Sequence, residues 1–74
     1  MFGENLKTLR KQKGFSQEEL ATRLHVVRQT ISKWETAKGL PDISLLEPLS
    51  AALGVSVMEL MKGDAVINQN RSAN

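Results

Sequence analysis

One histidine, eight carboxylates and no cysteine are the side chains with which this 74-residue sequence would have to perform catalysis or hold a metal. They are poorly arranged for either. His25 has no second His or Cys at ligand spacing. Glu18 and Glu19 are neighbours, so on a helix they point in different directions and do not flank one substrate. In the first turn of a helix they would meet the dipole favourably, which accounts for them without chemistry. No glycine-rich run has the spacing of a phosphate-binding loop. The expectation is no enzyme, no cofactor and no metal site.

A different kind of chemistry is concentrated between Gln17 and Thr36, in QEELATRLHVVRQTISKWET. Read as a helix, its second half turns Ile31 and Trp34 inward and leaves Arg28, Gln29, Ser32, Lys33 and Thr36 on the remaining surface. Those side chains carry donors and acceptors long enough to reach base edges. Upstream, Ala21 is small where two helices would cross closely, and Leu20, Val26 and Ile31 can meet beneath the turn. Two short helices joined by three or four residues, the second rich in exposed donors, is the helix-turn-helix layout.

The elements that must position this stretch are marked by regular punctuation. Gly14, Gly39, Gly54 and Gly63 each follow an apolar-periodic run and suit the left-handed residue that closes a helix. Ser16-x-x-Glu19, Ser44-x-x-Glu47 and Ser56-x-x-Glu59 read as capping boxes. With no alternating strand pattern, the spacing predicts an all-α chain with helices near 4–13, 17–24, 28–37, 45–53 and 57–62. Pro48 falls inside the fourth run and predicts a bend or a tight first turn there. One core is expected from Leu6, Leu9, Phe15, Leu20, Ala21, Leu24, Val26, Ile31, Trp34, Leu46, Leu49, Leu53, Val55 and Leu60. Met58 and Met61 are expected to join it, with a ligand groove or a dimer face beside Val57 as the alternatives. The organisation is one domain over 1–63 and a polar tail over 64–74, either disordered or the start of a linker.

Composition agrees with one small folded domain, at 41% apolar and 24% charged residues. A chain this short buries only about 60% of its unfolded surface. The absence of cysteine removes any disulfide reinforcement and fits a reducing compartment. Leu49 to Met61 is broken by Ser50, Ser56 and Glu59, too short and polar to cross a bilayer. Met1-Phe2-Gly3-Glu4 offers no basic start to a signal peptide. A cytoplasmic protein without membrane contact is expected. The net charge of +2 divides unevenly, because residues 1–40 hold eight basic and four acidic side chains while residues 41–74 hold two and four. The basic half suits a polyanion.

The segment RQTISKWE, followed by KGLPD and later by LLEPLSAALGVSVMELM, resembles the Cro and phage-repressor-like helix-turn-helix family, also called the xenobiotic-response-element family. The likeness runs from about Asn5 to Gly63. It implies a compact five-helix, lambda-repressor-like DNA-binding domain that regulates transcription, commonly as a dimer on two-fold symmetric operators. By position, Arg28, Gln29, Thr30 and Lys33 match the family's base-reading and backbone-reading residues. Their chemistry fits that role, since Gln29 can bond adenine N6 and N7 and Arg28 or Lys33 guanine O6 and N7. Gln17 matches a glutamine that holds a phosphate and braces the first residues of the recognition helix. Ser32, Thr36, Lys38, Gly39 and Ser44 are the further phosphate-contact candidates. Arg10 and Glu35 match a buried ion pair of some relatives, with an ordinary surface contact as the alternative.

Two departures from that family sit in the turn. His25 stands where glycine is usual, at a position wanting positive φ, which histidine tolerates better than most residues. Val27 stands where a serine usually caps the recognition helix, so the cap is lost at about 1 kcal/mol. Either Val27 packs instead on a thymine methyl, or the helix start is simply weaker. The reading is a sequence-specific binder of double-stranded DNA, a repressor acting as a homodimer at least on DNA, with recognition helices about 34 Å apart. The alternatives are an antitoxin-like or other protein-interaction module that keeps the fold, its protein partner unknown, and the DNA-binding fragment of a longer regulator.

Overall fold

The computed structural model describes residues 1–62. The order is α1 (Phe2–Lys13), α2 (Gln17–Leu24), α3 (Arg28–Glu35), a 3-10 turn (Ile43–Leu45), α4 (Leu46–Leu53) and α5 (Val57–Leu60). No strand occurs among the described residues. The polar tail over 64–74 and Gly63, the last of the expected helix-closing glycines, lie outside the described residues.

Each helix is too short to persist alone in water, so its stability comes from the apolar face it buries. α1 packs on α3, α4 and α5, while α2 packs on α3 and α4. Leu6, Leu20, Ala21, Leu24, Ile31, Trp34, Leu49, Leu53 and Leu60 meet in one core. Leu9, Phe15, Val26, Leu46, Val55 and Met61 lie partly buried against it. Phe2 belongs to the core although the helical spacing places it before α1. Met58 does not belong, being 74% exposed on a helix of a single turn that buries only Leu60.

α1 starts two residues earlier than the sequence pattern suggests because its first turn is docked. A Cβ on Gly3 would lie 2.6 Å from the Trp34 carbonyl oxygen and 2.8 Å from that of Glu35. Only glycine lets the start of α1 approach the end of α3 so closely. At the other side of the molecule, the Asn5 amide donates to the carbonyls of Glu59 at 3.0 Å and Leu60 at 2.7 Å. Those bonds tie α5 to α1 and satisfy carbonyls that a helix end leaves open.

Closure of α1 to α4 follows one rule with two exceptions in residue type. After α1, α2 and α4 the chain enters the left-handed region at Gly14, His25 and Gly54. The next amides, those of Phe15, Val26 and Val55, reach back to Arg10, Ala21 and Ser50 carbonyls. This is the Schellman closure, with an apolar residue tucked in after the turn. α3 closes likewise, through the Ala37 amide to the Trp34 carbonyl at 3.3 Å and the Lys38 amide to the Lys33 carbonyl at 2.8 Å. Its left-handed residue is Ala37 at φ 63°, not Gly39. α3 therefore ends at Glu35, two residues short of the expected limit, and Gly39 has no part in closing it.

The helix starts also differ from the expected set. Ser16 and Glu19 form a complete capping box before α2. Ser56 accepts from the Glu59 amide before α5, while its own amide donates no return bond to the Glu59 carboxylate. Ser44 caps nothing. It lies within the 3-10 turn, where Asp42 accepts from the Ser44 amide at 3.2 Å and its hydroxyl at 2.6 Å. That tight turn delivers Pro48 to the third residue of α4, where no intrahelical N–H is needed.

Two substitutions test these backbone constraints with opposite signs. Gly3→Ala is expected to lower stability by about 1–3 kcal/mol through overpacking. Ala37→Gly is expected to raise it by about 1 kcal/mol by relieving the left-handed strain. Thermal unfolding reads both, because about 1 kcal/mol moves the midpoint of a domain this size by roughly 4–8 °C. A Gly3→Ala protein as stable as its parent would mean that α1 does not approach α3 this closely.

Candidate nucleic-acid interface

Between α2 and α3 lie His25, Val26 and Val27. Leu20, Ala21 and Leu24 of α2 and Ile31 and Trp34 of α3 are all buried, so the two helices share one interior. Ala21, 2% exposed, is small enough to let them cross. His25 makes the sharp reversal at φ 60° and ψ 37°. Val26 is half-buried below the turn, and Val27 stands 63% exposed above it. Val27 precedes α3 with no side-chain cap, so the amides at the start of α3 have no acceptor from that side chain.

With α3 held by Ile31, Trp34 and Glu35, its outer face is decided by the helical step of about 100°. Arg28, Gln29, Lys33 and Thr36 are exposed, and Ser32 lies half-buried among them. Thr30 is half-buried on the far flank, nearer Trp34 than Arg28 in the helical projection. Among the described residues, no hydrogen bond engages the Gln29 amide or the Lys33 ammonium. Both end groups are available to a ligand. The Thr36 hydroxyl instead donates to the Ser32 carbonyl at 2.8 Å, which closes the last turn of α3.

Beneath this face runs a polar chain. Arg10 of α1 and Glu35 at the end of α3 are buried and paired, with Nε 2.6 Å from Oε2 and Nη2 3.2 Å from Oε1. The remaining guanidinium nitrogen, Nη1, donates to the Phe15 carbonyl at 2.7 Å. Gln17, the first residue of α2, donates to Glu35 Oε1 at 3.0 Å, and its own Oε1 accepts from Arg28 Nη1 at 3.2 Å. No buried side-chain polar atom among the described residues lacks a partner. Spacing alone could suggest the Arg10–Glu35 pair only through a family likeness. It held no signal for the Gln17–Glu35 link, which depends on how α2 and α3 cross.

The other candidate residues are more scattered. Lys38 and Gly39 are exposed in the connection after α3, and a Cβ on Gly39 would meet nothing within 4 Å. Ser44 is exposed, but its hydroxyl proton is engaged by Asp42. That hydroxyl bond and the Ser44 amide hold the fully exposed Asp42 carboxyl below its ordinary range. A carboxylate beside Ser44 makes this position less hospitable to a phosphate than Lys38. Also outside the sequence reading, the Arg23 guanidinium lies 4.5 Å from the Phe15 ring centre, bracing the outer side of α2. Among the described residues no group of three or more His, Cys, Asp or Glu side chains is placed to hold a metal ion.

The family model for helix-turn-helix proteins matches residues 6–60, and the chain belongs to that family. It is 48% identical over 63 residues to a prophage-derived helix-turn-helix transcriptional regulator, YonR, of Bacillus subtilis, covering 85% of this chain and 58% of that protein. It is 41% identical over 75 residues to the transcriptional activator BcrR of Enterococcus faecalis, covering 96% of this chain and 37% of the relative. The chain thus spans less than two thirds of the length of these relatives. Among solved structures it is similar to the P22 c2 repressor in complex with a synthetic operator, with a TM-score of 0.80 and 34% identity over 86% of this chain and 97% of that one. It is also similar to the biofilm regulator SinR in complex with DNA, with a TM-score of 0.77 and 40% identity over 84% of this chain and all of the other.

Because Arg10 is buried with its charge, removing its partner is the costly change. Glu35→Ala is expected to lose about 3–5 kcal/mol by leaving a guanidinium uncompensated inside the fold. The check is urea unfolding of Glu35→Ala beside Arg10→Met/Glu35→Leu. The double variant should recover most of the loss if the cost is an unpaired charge, and none if it is lost packing.

Proposed function

We propose that this chain is a sequence-specific double-stranded DNA-binding module of a transcription regulator, acting as a repressor. Its α3 lies in the major groove, and two copies engage an inverted repeat. The observation that carries the reading is the outer face of α3. An eight-residue helix is fixed from below by Ile31 and Trp34 while Gln29 and Lys33 extend from it with unengaged end groups. The likeness to repressor structures holding operator DNA supports the same reading. Among the described residues no helix is long and apolar enough to cross a membrane, which fits a protein that meets DNA in the cytoplasm.

In this reading each side chain has a physical role. Gln29 presents both a donor and an acceptor to adenine, and Arg28 or Lys33 donates to guanine. Thr30, on the flank, touches a thymine methyl or a phosphate. Val27 packs on a thymine methyl beside the start of α3. Gln17, Ser32, Thr36, Lys38, Gly39 and Ser44 are candidates for the phosphate contacts that set register without reading sequence, with Ser44 the weakest because Asp42 adjoins it. The uncapped amides at the start of α3 add a favourable field for phosphate. Affinity then falls steeply with salt, and base discrimination comes from α3.

Selection of bound duplexes from a random pool, repeated with Gln29→Ala, tests the assignment. The expected result is an inverted repeat with half-sites about one helical turn apart. In Gln29→Ala the preference should relax at one symmetric pair of positions, by roughly 1–3 kcal/mol per contact. Weak binding without enrichment, abolished by salt, would overturn sequence-specific recognition by this chain.

A further inference from the structure

Gln17 lies between a group that only accepts hydrogen bonds and a group that only donates them. An ionised carboxylate has no proton to give, and a guanidinium has no lone pair to offer. The Gln17 amide therefore fits in one orientation, its NH2 on Glu35 Oε1 and its oxygen on Arg28 Nη1. Turned over, it would set oxygen against carboxylate and NH2 against guanidinium, two repulsive contacts in place of two bonds. Glu35 cannot yield, because both of its oxygens are held by the buried Arg10 guanidinium. Arg10 in turn is anchored on the Phe15 carbonyl.

The consequence reaches the surface. Arg28 is the first residue of α3 and follows the uncapped Val27, so nothing from the preceding residue's side chain steadies this turn. Its side chain is long and samples many rotamers when unpaired. The bond it donates to Gln17 selects among them and leaves its other guanidinium donors without a side-chain or backbone partner among the described residues. We propose that Glu35, which need not touch DNA, is a specificity-determining positioning residue. It fixes the polarity of the Gln17 amide and thereby the direction in which Arg28 is presented to a base. This rests on the DNA-reading role proposed above for α3.

Two measurements test the proposal and separate it from the reading beneath it. In the free protein, the Gln17 side-chain amide resonances should shift in both Glu35→Gln and Arg28→Met. Resonances unmoved by both would overturn the chain of bonds without any DNA present. On the selected duplex, the base pair whose preference relaxes in Arg28→Met identifies what Arg28 reads. Gln17→Met, which leaves the Arg10–Glu35 pair intact, and Glu35→Gln should each lower preference at that base pair by about threefold or more. Preference at the Gln29 position should hold, and neither change should add to Arg28→Met. Equal weakening at all positions, or undiminished preference, would overturn the role of Glu35. If no sequence is selected while the amide shifts are present, the DNA reading falls and the specificity role falls with it, although the hydrogen-bond chain stands.

Discussion

A buried guanidinium paired with a buried carboxylate joins α1 to the end of α3 inside a protein whose apolar interior is small. Arg10 and Glu35 come from different helices, and their side chains are only 9% and 2% exposed. Charges so deep are tolerated only where geometry and additional hydrogen bonds compensate their lost hydration. Here the compensation comes from two bonds between the pair, the Phe15 carbonyl on one side and the Gln17 amide on the other. The consequence is directional. α1, the start of α2 and the end of α3 must all be in place before the pair is satisfied, so a polar contact specifies an arrangement that interchangeable aliphatic side chains would define more loosely.

The backbone adds a second constraint at the same helix. Four helices close through a left-handed residue, and glycine fills that position after α1 and α4. The two positions that bracket α3 are His25 and Ala37, which bear the cost of a Cβ at positive φ. Surrounding packing overrides that preference. Val26 is tucked under the turn, Ile31 and Trp34 are locked below, and Gly3 lets α1 rest on the last carbonyls of α3. α3 thus starts without a side-chain cap, over the packed Val26, and at its end combines its own backbone closure with the contact from Gly3. That leaves its outer face free of structural duty apart from Thr36 and Arg28.

Much of this was legible in the chain. The glycine and serine punctuation located the helices, the 3.6-residue spacing chose their inner faces, and Ala21 with the donor-rich stretch after it marked the α2–α3 pair. Family likeness added the positive φ at His25 and the missing cap at Val27. Boundaries were less legible, because the competing signals are local and close in energy. Ser44 and Asp42 can both cap, and Asp42 prevails because its carboxylate accepts two bonds from Ser44 in a tight 3-10 turn. Gly39 is the better left-handed residue in isolation, yet α3 stops where the contact with α1 ends and Ala37 takes the reversal.

The sequence by itself determined which side chains could be inside and which could reach a nucleic acid, since hydrophobic period and side-chain chemistry are properties of single residues and near neighbours. It did not determine that Phe2 is core, that Gly3 touches the end of α3, or that the Gln17 expected by family likeness to brace the start of α3 also reaches Glu35. Those are distances between atoms far apart along the chain. They come into being only when several helices have packed, because a hydrogen bond needs its partners within about 3 Å and no local pattern brings residues 10, 17, 28 and 35 together.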